Sequence, residues 1–330
     1  MDFRTARSSA VSTRKGRLPV YNAARKTGFP RPDPARVAAV TSAELRIPST
    51  DGVDLALHDL GGVGPPVLLC HATGFHARAY QPFVRHLASA YHVWGFDFRG
   101  HGSSTPPADE HFTWAGMADD VRAAVDAVNA QEGTRGQPLL AIGHSMGGAA
   151  ILIAELARPN TFEQAYLYEP IVFLADWERT VEENNAMSGP ARKRREVFPS
   201  RAEAMWRYAS RRPLGDLQSD CLAAYVEHGF TDLPDGTVRL ACRAEHEART
   251  FEAAGLLTSG GCAGVKIPVV VAVGGADGMS NTVQMAGPAA ATLPYGRLKE
   301  YAHLGHFGPL QDPFTIAVDV RDTFGAGRAS

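Results

Sequence analysis

Short apolar runs alternate with segments of helical periodicity along most of this 330-residue chain, from residue 43 onward. Chains with this alternation fold into a mostly parallel sheet with helices on both of its faces. The apolar runs predict eight strands, at residues 43–48, 53–59, 67–70, 92–96, 139–142, 165–168, 268–273 and 297–301. We therefore expect an α/β fold built on a mostly parallel, eight-stranded sheet flanked by helices.

The helices are indicated by apolar residues that recur three and four positions apart. This spacing predicts amphipathic helices over residues 80–87 and 117–128. A closing helix is predicted after Pro313, with Phe314, Ala317 and Val318 on its buried side.

The alternation divides the chain into three parts. Residues 43–171 and 265–330 form the predicted sheet-and-helix core, whereas 172–264 is long, charged and mainly helical in pattern, and we interpret it as a helical cap inserted into that core. Residues 1–42 are basic and contain no apolar stretch, which predicts a disordered arm. An organellar transit peptide and an overlong gene start are the alternatives for this arm.

Composition excludes several functional classes. The net charge of −2 gives no overall bias towards nucleic acid, and no stretch reaches the roughly 20 uninterrupted apolar residues needed to span a bilayer. The four cysteines lack the spacing of a zinc site or redox pair. We expect a cytoplasmic protein that acts on a small molecule without metal or cofactor; the sequence predicts no oligomeric state.

A G-x-S-x-G pentapeptide centred on Ser145 follows the run 139–142 directly and precedes a helical segment. In a turn this tight the central residue adopts strained backbone angles, and only small residues at Gly143 and Gly147 let the neighbouring backbone pass. The serine hydroxyl is then exposed at the start of a helix. This position predicts a nucleophile; an incidental serine in a glycine-rich turn is the alternative.

A serine nucleophile needs a base and an acid to orient it, on loops that follow later strands. The run 268–273 is followed by Asp277, and the run 297–301 by His306, which precedes the last predicted helix. We predict Asp277 as the acid and His306 as the base. A turn-forming role is the alternative for Asp277.

A tetrahedral intermediate also needs two backbone N–H donors for its oxyanion. The residue after the nucleophile, Met146, is one candidate. Thr73, in the small-residue loop after the run 67–70, is the other.

These motifs together resemble the α/β-hydrolase superfamily, in its serine-nucleophile branch, over almost everything from residue 43 onward. The matching motifs are His71-Ala72-Thr73, the D-x-R-G-x-G-x-S turn from Asp97 to Ser104, the serine elbow, and G-x-x-D followed by G-H-F. Ala72 departs from the usual glycine, which changes the space near the oxyanion site. A serine at the elbow argues against the epoxide hydrolase and haloalkane dehalogenase branches. The resemblance also allows the acid to follow the preceding strand, where Glu169 stands as an alternative to Asp277.

The implied activity is hydrolysis of a small apolar ester, thioester or lactone through an acyl-enzyme. A carbon–carbon hydrolase or cofactor-free oxidative enzyme with the same triad is one alternative, and a non-catalytic ligand receptor with this fold is another. The candidates for specificity are the cationic run, 192–195, and the aromatics of the predicted cap, Phe173, Trp177, Phe198, Trp206 and Tyr208. We interpret the aromatics as interior packing, with lining of the substrate pocket as the alternative. We interpret the run as a solvated helix face, with recognition of an anionic substrate as the alternative.

Overall fold

A computed structural model describes residues 44–173, 186–254, 257–258, 260–276 and 281–326. The predicted N-terminal arm, 1–42, lies outside these ranges, as do Trp177 of the predicted cap and Asp277, the predicted acid.

Eight strands form one sheet, as the apolar runs predict. They are β1 (Glu44–Pro48), β2 (Asp54–Gly62), β3 (Pro66–Cys70), β4 (His92–Phe96), β5 (Leu139–His144), β6 (Phe162–Tyr168), β10 (Val269–Gly274) and β11 (Gly296–Tyr301), with β7 to β9 in a separate small sheet. Their order is β1-β2-β4-β3-β5-β6-β10-β11. Within the eight-stranded sheet, only the pairs β1–β2 and β2–β4 are antiparallel. From β4 to β11 the carboxyl ends of the strands therefore meet at one edge.

The helices cover both faces of this sheet. They are α1 (Gln81–Val84), α2 (Trp114–Gln131), α3 (Met146–Ala157), α4 (Ser188–Arg192), α5 (Arg201–Ala209), α6 (Ser219–His228), α7 (Ala244–Glu252), α8 (Asn281–Thr292), α9 (Gly308–Gln311) and α10 (Pro313–Ala326). Short 3-10 turns lie at Thr50–Gly52, Ala77–Tyr80, Leu214–Asp216 and Gly260–Gly264. Buried side chains of α2, α3 and α8 pack on one face, and those of α1 and α10 pack on the other. No helix in the described ranges is long and apolar enough to cross a membrane.

The buried side of α2 agrees with the prediction, but that of α10 does not. In α2, Met117, Val121 and Val128 are fully buried. In α10, Phe314 and Val318 are 61% and 37% exposed. The buried stripe is formed by Pro313, Ile316, Ala317, Val320 and Phe324. Its members recur at intervals of three and four residues, so the helix is rotated from the predicted orientation and only Ala317 was placed correctly.

The segment between β6 and β10 contains four helices, α4 to α7, and a small antiparallel sheet that sequence reasoning missed. This sheet has the order β7-β9-β8 and consists of β7 (Val197–Phe198), β8 (Phe230–Asp232) and β9 (Val238–Leu240). Strands of two and three residues are too short to show an alternating pattern. All four cysteines are buried and free.

Candidate active site

Ser145 occupies the turn between β5 and α3, where the carboxyl end of the sheet meets a helix N-terminus. Its φ of 55° and ψ of −118° are backbone angles that a residue with a side chain rarely adopts. The close approach of the chain explains the flanking glycines. A Cβ on Gly143 would stand 2.6 Å from the Cα of Gly148, and one on Gly147 would stand 2.3 Å from the carbonyl oxygen of Cys70. The structure therefore has the strained turn that the pentapeptide predicts.

The loop that follows β3 lies directly against this turn. Ala72 and Thr73 line the same cavity as Ser145. Met146 is the first residue of α3, and the first N–H groups of a helix have no acceptor within the helix. Both predicted oxyanion donors, Thr73 and Met146, thus belong to segments that adjoin Ser145.

His71 holds this loop in place with both ring nitrogens. Its Nε2 accepts a hydrogen bond from the N–H of Phe98 at 3.0 Å, so Nδ1 carries the proton and donates to the carbonyl of Ala72 at 2.8 Å. Burial, together with the nearby His101, lowers the pKa of His71 to about 3. The ring is therefore neutral at physiological pH and acts as a fixed brace.

His306 lies on the loop between β11 and α9, and its partner is a buried carboxylate. Its Nδ1 is 2.5 Å from Oε2 of Glu169, which is completely buried at the end of β6. The other oxygen, Oε1, accepts a hydrogen bond from the N–H of Gly274 at 2.9 Å, and the N–H of Glu169 donates to Ala272 at 2.7 Å. A carboxylate held in this way keeps the proton on Nδ1 of the imidazole and leaves Nε2 to accept another proton.

A chain of buried hydrogen bonds links the loop after β3 to the loop that carries His306. The N–H of Ala72 donates to the hydroxyl of Tyr80 at 3.2 Å, and that hydroxyl donates to Nδ1 of His144 at 2.7 Å. Nε2 of His144 then donates to the carbonyl oxygen of His306 at 2.8 Å. Burial lowers the pKa of His144 well below its usual value, with His306 as the second cause, which matches a neutral ring with one donor and one acceptor nitrogen.

No sequence pattern predicted this series of buried hydrogen bonds. Tyr80 occupies one position in an apolar helical spacing, and His144 occupies a variable position in the pentapeptide. Their connection depends on packing between elements that are distant in sequence.

Ser145 and His306 open into one cavity of about 470 Å³. The apolar part of its lining includes Phe75 and Phe307. Of the predicted site residues, Ser145, His306 and Thr73 line this cavity, Met146 adjoins it, and Glu169 lies behind His306. Asp277 lies outside the described residues.

Part of the cavity wall comes from the segment between β6 and β10. Of the aromatics predicted to pack inside the cap, Phe198 is buried and also lines the cavity, as does Tyr208. Trp206 is 69% exposed, and Phe173 is buried away from the cavity lining.

The cationic run divides between the surface and the cavity. Arg192 is paired with Glu245 and Glu252 on the outer surface, as expected for a solvated face. The next three residues, 193–195, line the cavity.

Comparison with known proteins identifies the family. Residues 67–320 match the family model described as "Alpha/beta hydrolase family". Together with the sheet order and the serine turn, this match shows that the chain belongs to the alpha/beta hydrolase family.

Curated relatives match over shorter stretches. A 99-residue stretch is 31% identical to (E)-2-((N-methylformamido)methylene)succinate hydrolase of Acinetobacter baylyi, covering 30% of this chain and 35% of that protein. Human monoglyceride lipase is 30% identical over 107 residues, which is 32% of this chain and 35% of the lipase. Bovine protein phosphatase methylesterase 1 is 31% identical over 109 residues, or 32% of this chain and 28% of the methylesterase. The matched region thus spans about a third of each relative's length.

Solved structures share the fold over nearly the whole described chain. The crystal structure of E-2-(acetamidomethylene)succinate hydrolase superposes with a TM-score of 0.70 at 17% identity, covering 85% of this chain and 98% of the other. A thermophilic esterase from Thermogutta terrifontis superposes with a TM-score of 0.64 at 20% identity, covering 86% of this chain and 98% of the esterase.

Proposed function

We propose that this protein is a serine hydrolase that cleaves a small carboxylic ester, thioester or lactone through an acyl-enzyme intermediate. One observation carries the proposal. A serine in a strained strand-to-helix turn opens into the same cavity as His306, whose Nδ1 is 2.5 Å from the buried carboxylate of Glu169. A binding protein has no need of this arrangement, which therefore argues against a receptor role.

In the proposed reaction, the Oγ of Ser145 attacks the substrate carbonyl while Nε2 of His306 accepts the hydroxyl proton. The N–H groups of Thr73 and Met146 hold the oxyanion of the tetrahedral intermediate, each worth about 3 kcal/mol in the transition state. His306 returns its proton to the leaving group, and the acyl-enzyme forms. Water then attacks the acyl carbon with His306 again as base, which releases the acid and restores Ser145.

We assign the acid to Glu169 and keep Asp277 as the alternative. Glu169 supports the assignment through its contact with His306 and through the backbone hydrogen bond that orients its other oxygen. A buried carboxylate beside the imidazole stabilises the imidazolium that forms during each proton transfer.

The ester chemistry draws further support from the relatives, whose names describe a lipase, a methylesterase and an esterase. We also propose that the segment 172–264 acts as a cap that shapes substrate choice, because it supplies Phe198 and Tyr208 to the cavity wall. Specificity would then depend on residues outside the catalytic loops.

A fluorophosphonate probe tests the nucleophile. We expect covalent labelling of the wild type and none of Ser145→Ala, read by intact-protein mass spectrometry. Absence of labelling in the folded wild type would contradict the proposal. A panel of p-nitrophenyl esters, measured beside a β-diketone, then separates ester hydrolysis from carbon–carbon cleavage, because only the first is expected.

A further inference from the structure

The cavity wall has a strong excess of positive charge. Six cationic side chains line it, and the only carboxylate among its described lining residues is Glu247. The six are Lys193, Arg194, Arg195, Arg207, Arg211 and Arg212.

Two of the six are neutralised locally. Arg194 forms an ion pair with Glu247 and also donates to the hydroxyl of Tyr225 at 2.9 Å. Arg212 is paired with Asp216 at 2.7 Å. The positive charges of Arg194 and Arg212 are therefore already balanced by carboxylates of the protein.

The other four have no carboxylate partner in the part of the chain that the structure describes. Lys193 and Arg211 are exposed at the cavity, and Arg207 is half-buried. The guanidinium of Arg195 lies 4.6 Å from the centre of the Phe198 ring and donates only to a backbone carbonyl. Four cations that no described carboxylate pairs with therefore face one cavity.

Three arginines of the same segment that do not line the cavity are each paired with carboxylates. Arg192 is paired with Glu245 and Glu252, Arg201 with Asp232, and Arg249 with Glu110 and Glu245. Like charges that converge on a low-dielectric cleft repel one another and focus a positive potential into it. Acids balance Arg192, Arg201 and Arg249, whereas no carboxylate among the described residues pairs with the four cations at the cavity. The arrangement therefore fits an anionic group that arrives from outside.

We propose that the substrate carries an anion, a carboxylate or a phosphate, on the part remote from the scissile carbonyl. The proposal rests on the serine hydrolase function proposed above and defines its substrate class. The apolar wall near Ser145 holds the body of the substrate, while Arg207, Arg211 and Lys193 bind the anionic end. Guanidinium groups suit this role because they form paired hydrogen bonds with either oxyanion.

Matched esters test the charge requirement. Mono-p-nitrophenyl adipate carries a free carboxylate, its methyl ester has the same chain without charge, and the p-nitrophenyl ester of 5-phosphonopentanoate replaces carboxylate by phosphonate. We expect kcat/KM to be about 10- to 100-fold higher for an anionic ester than for the neutral one. The ratio of kcat/KM between the two anionic esters shows whether the site prefers a carboxylate or a phosphonate. The preference should shrink in high salt, because Lys193 and Arg211 are exposed.

Charge-neutral variants locate the effect. In Arg207→Gln/Arg211→Gln the ratio of anionic to neutral kcat/KM should fall at least tenfold. Arg297→Gln/Arg321→Gln is the matched control, because it also removes two positive charges, from exposed arginines on β11 and α10 that do not line the cavity, and its ratio of anionic to neutral kcat/KM should equal that of the wild type. An equal fall in the control would show an effect of net charge alone and would overturn the proposal.

The remaining outcomes separate this proposal from the proposed function. Hydrolysis of the neutral ester at least as fast as both anionic esters overturns the anion site and leaves the serine hydrolase intact. If no ester is hydrolysed, the proposed function fails, and calorimetry of Ser145→Ala with monomethyl adipate, dimethyl adipate and 5-phosphonopentanoate decides the anion site. The anion site is supported if an anionic ligand binds more tightly than dimethyl adipate and if this difference disappears when Arg207→Gln/Arg211→Gln is added to Ser145→Ala. Equal binding of the charged and neutral ligands, or undetectable binding, overturns the anion site.

Discussion

Replacing Glu169 by glutamine changes one buried atom and inverts the hydrogen bond that orients His306. The N–H of Gly274 donates to Oε1 of Glu169, so in Glu169→Gln the amide oxygen stays on that side and the amide NH2 faces His306. Two donors cannot face each other, and Nδ1 of His306 must therefore give up its proton. The proton moves to Nε2, which can then no longer accept the proton of Ser145.

The loss of activity in Glu169→Gln should be large, because the proton of His306 is then on Nε2 instead of Nδ1. Loss of the oriented acid with the geometry kept intact lowers kcat by about 10³- to 10⁴-fold, or about 4 to 5 kcal/mol of transition-state stabilisation. The assay is steady-state hydrolysis of p-nitrophenyl acetate, with urea denaturation to show that the variant is folded. Asp277→Asn, measured in parallel, should keep most of the activity.

A second buried glutamate provides the matched control. Glu155 is 3% exposed and accepts hydrogen bonds from the N–H groups of Asn160 and Phe162, at 2.8 and 3.0 Å. Glu155→Gln should lower stability but leave kcat within about twofold, because this carboxylate does not touch His306. If Glu169→Gln keeps kcat within tenfold of the wild type while Asp277→Asn loses it, the acid is Asp277 and the reasoning is refuted.

Two further predictions concern the buried network. Tyr80→Phe removes the hydroxyl between the N–H of Ala72 and Nδ1 of His144, so the free energy of unfolding should fall by about 1–3 kcal/mol in urea titrations; an unchanged value would contradict the hydrogen-bond chain. Acid should also destabilise the fold, because burial lowers the pKa of His71 to about 3 and that of His101 to about 4. Below pH 6.5 these two histidines take up protons in the unfolded chain but stay neutral in the folded one, so together they should lower the free energy of unfolding by about 3 kcal/mol between pH 8 and pH 5.5. Burial also lowers the pKa of other histidines, such as His144 and His228, so the total drop should be at least this large. A flat profile over that range would show that the two rings are not held neutral.

The sheet could be predicted from the sequence because each core strand is a short apolar run between turn residues. His92–Phe96 is observed with the predicted bounds, and the other seven strands shift by one to three residues at an end. The closing helix α10 was also predicted, but not its rotation. Phe314 and Val318 are exposed because hydrophobicity alone does not reveal which apolar stripe of a helix packs inward.

The loops that carry Ser145 and His306 could be predicted because each follows a recognisable strand. The choice between Glu169 and Asp277 could not, because carboxylates follow two adjacent strands, β6 and β10, and no local pattern says which one contacts the imidazole. The position of the run 192–195 at the cavity, which the sequence analysis left as the alternative to a solvated face, could not be chosen for a related reason. Four consecutive cationic residues predict a single solvated surface. In the structure, Arg192 is paired with acids outside the cavity, and the next three residues, 193–195, line the cavity wall.

Trapping the acyl-enzyme shows directly whether Ser145 is the nucleophile. The wild type is mixed with p-nitrophenyl acetate, quenched in acid within the first turnover, digested and mapped by mass spectrometry. We expect an acetyl group on Ser145 that accumulates with a burst of p-nitrophenol and is absent from Ser145→Ala. Turnover without any acetylated Ser145, or with the acetyl group on another residue such as Cys70, would contradict this expectation.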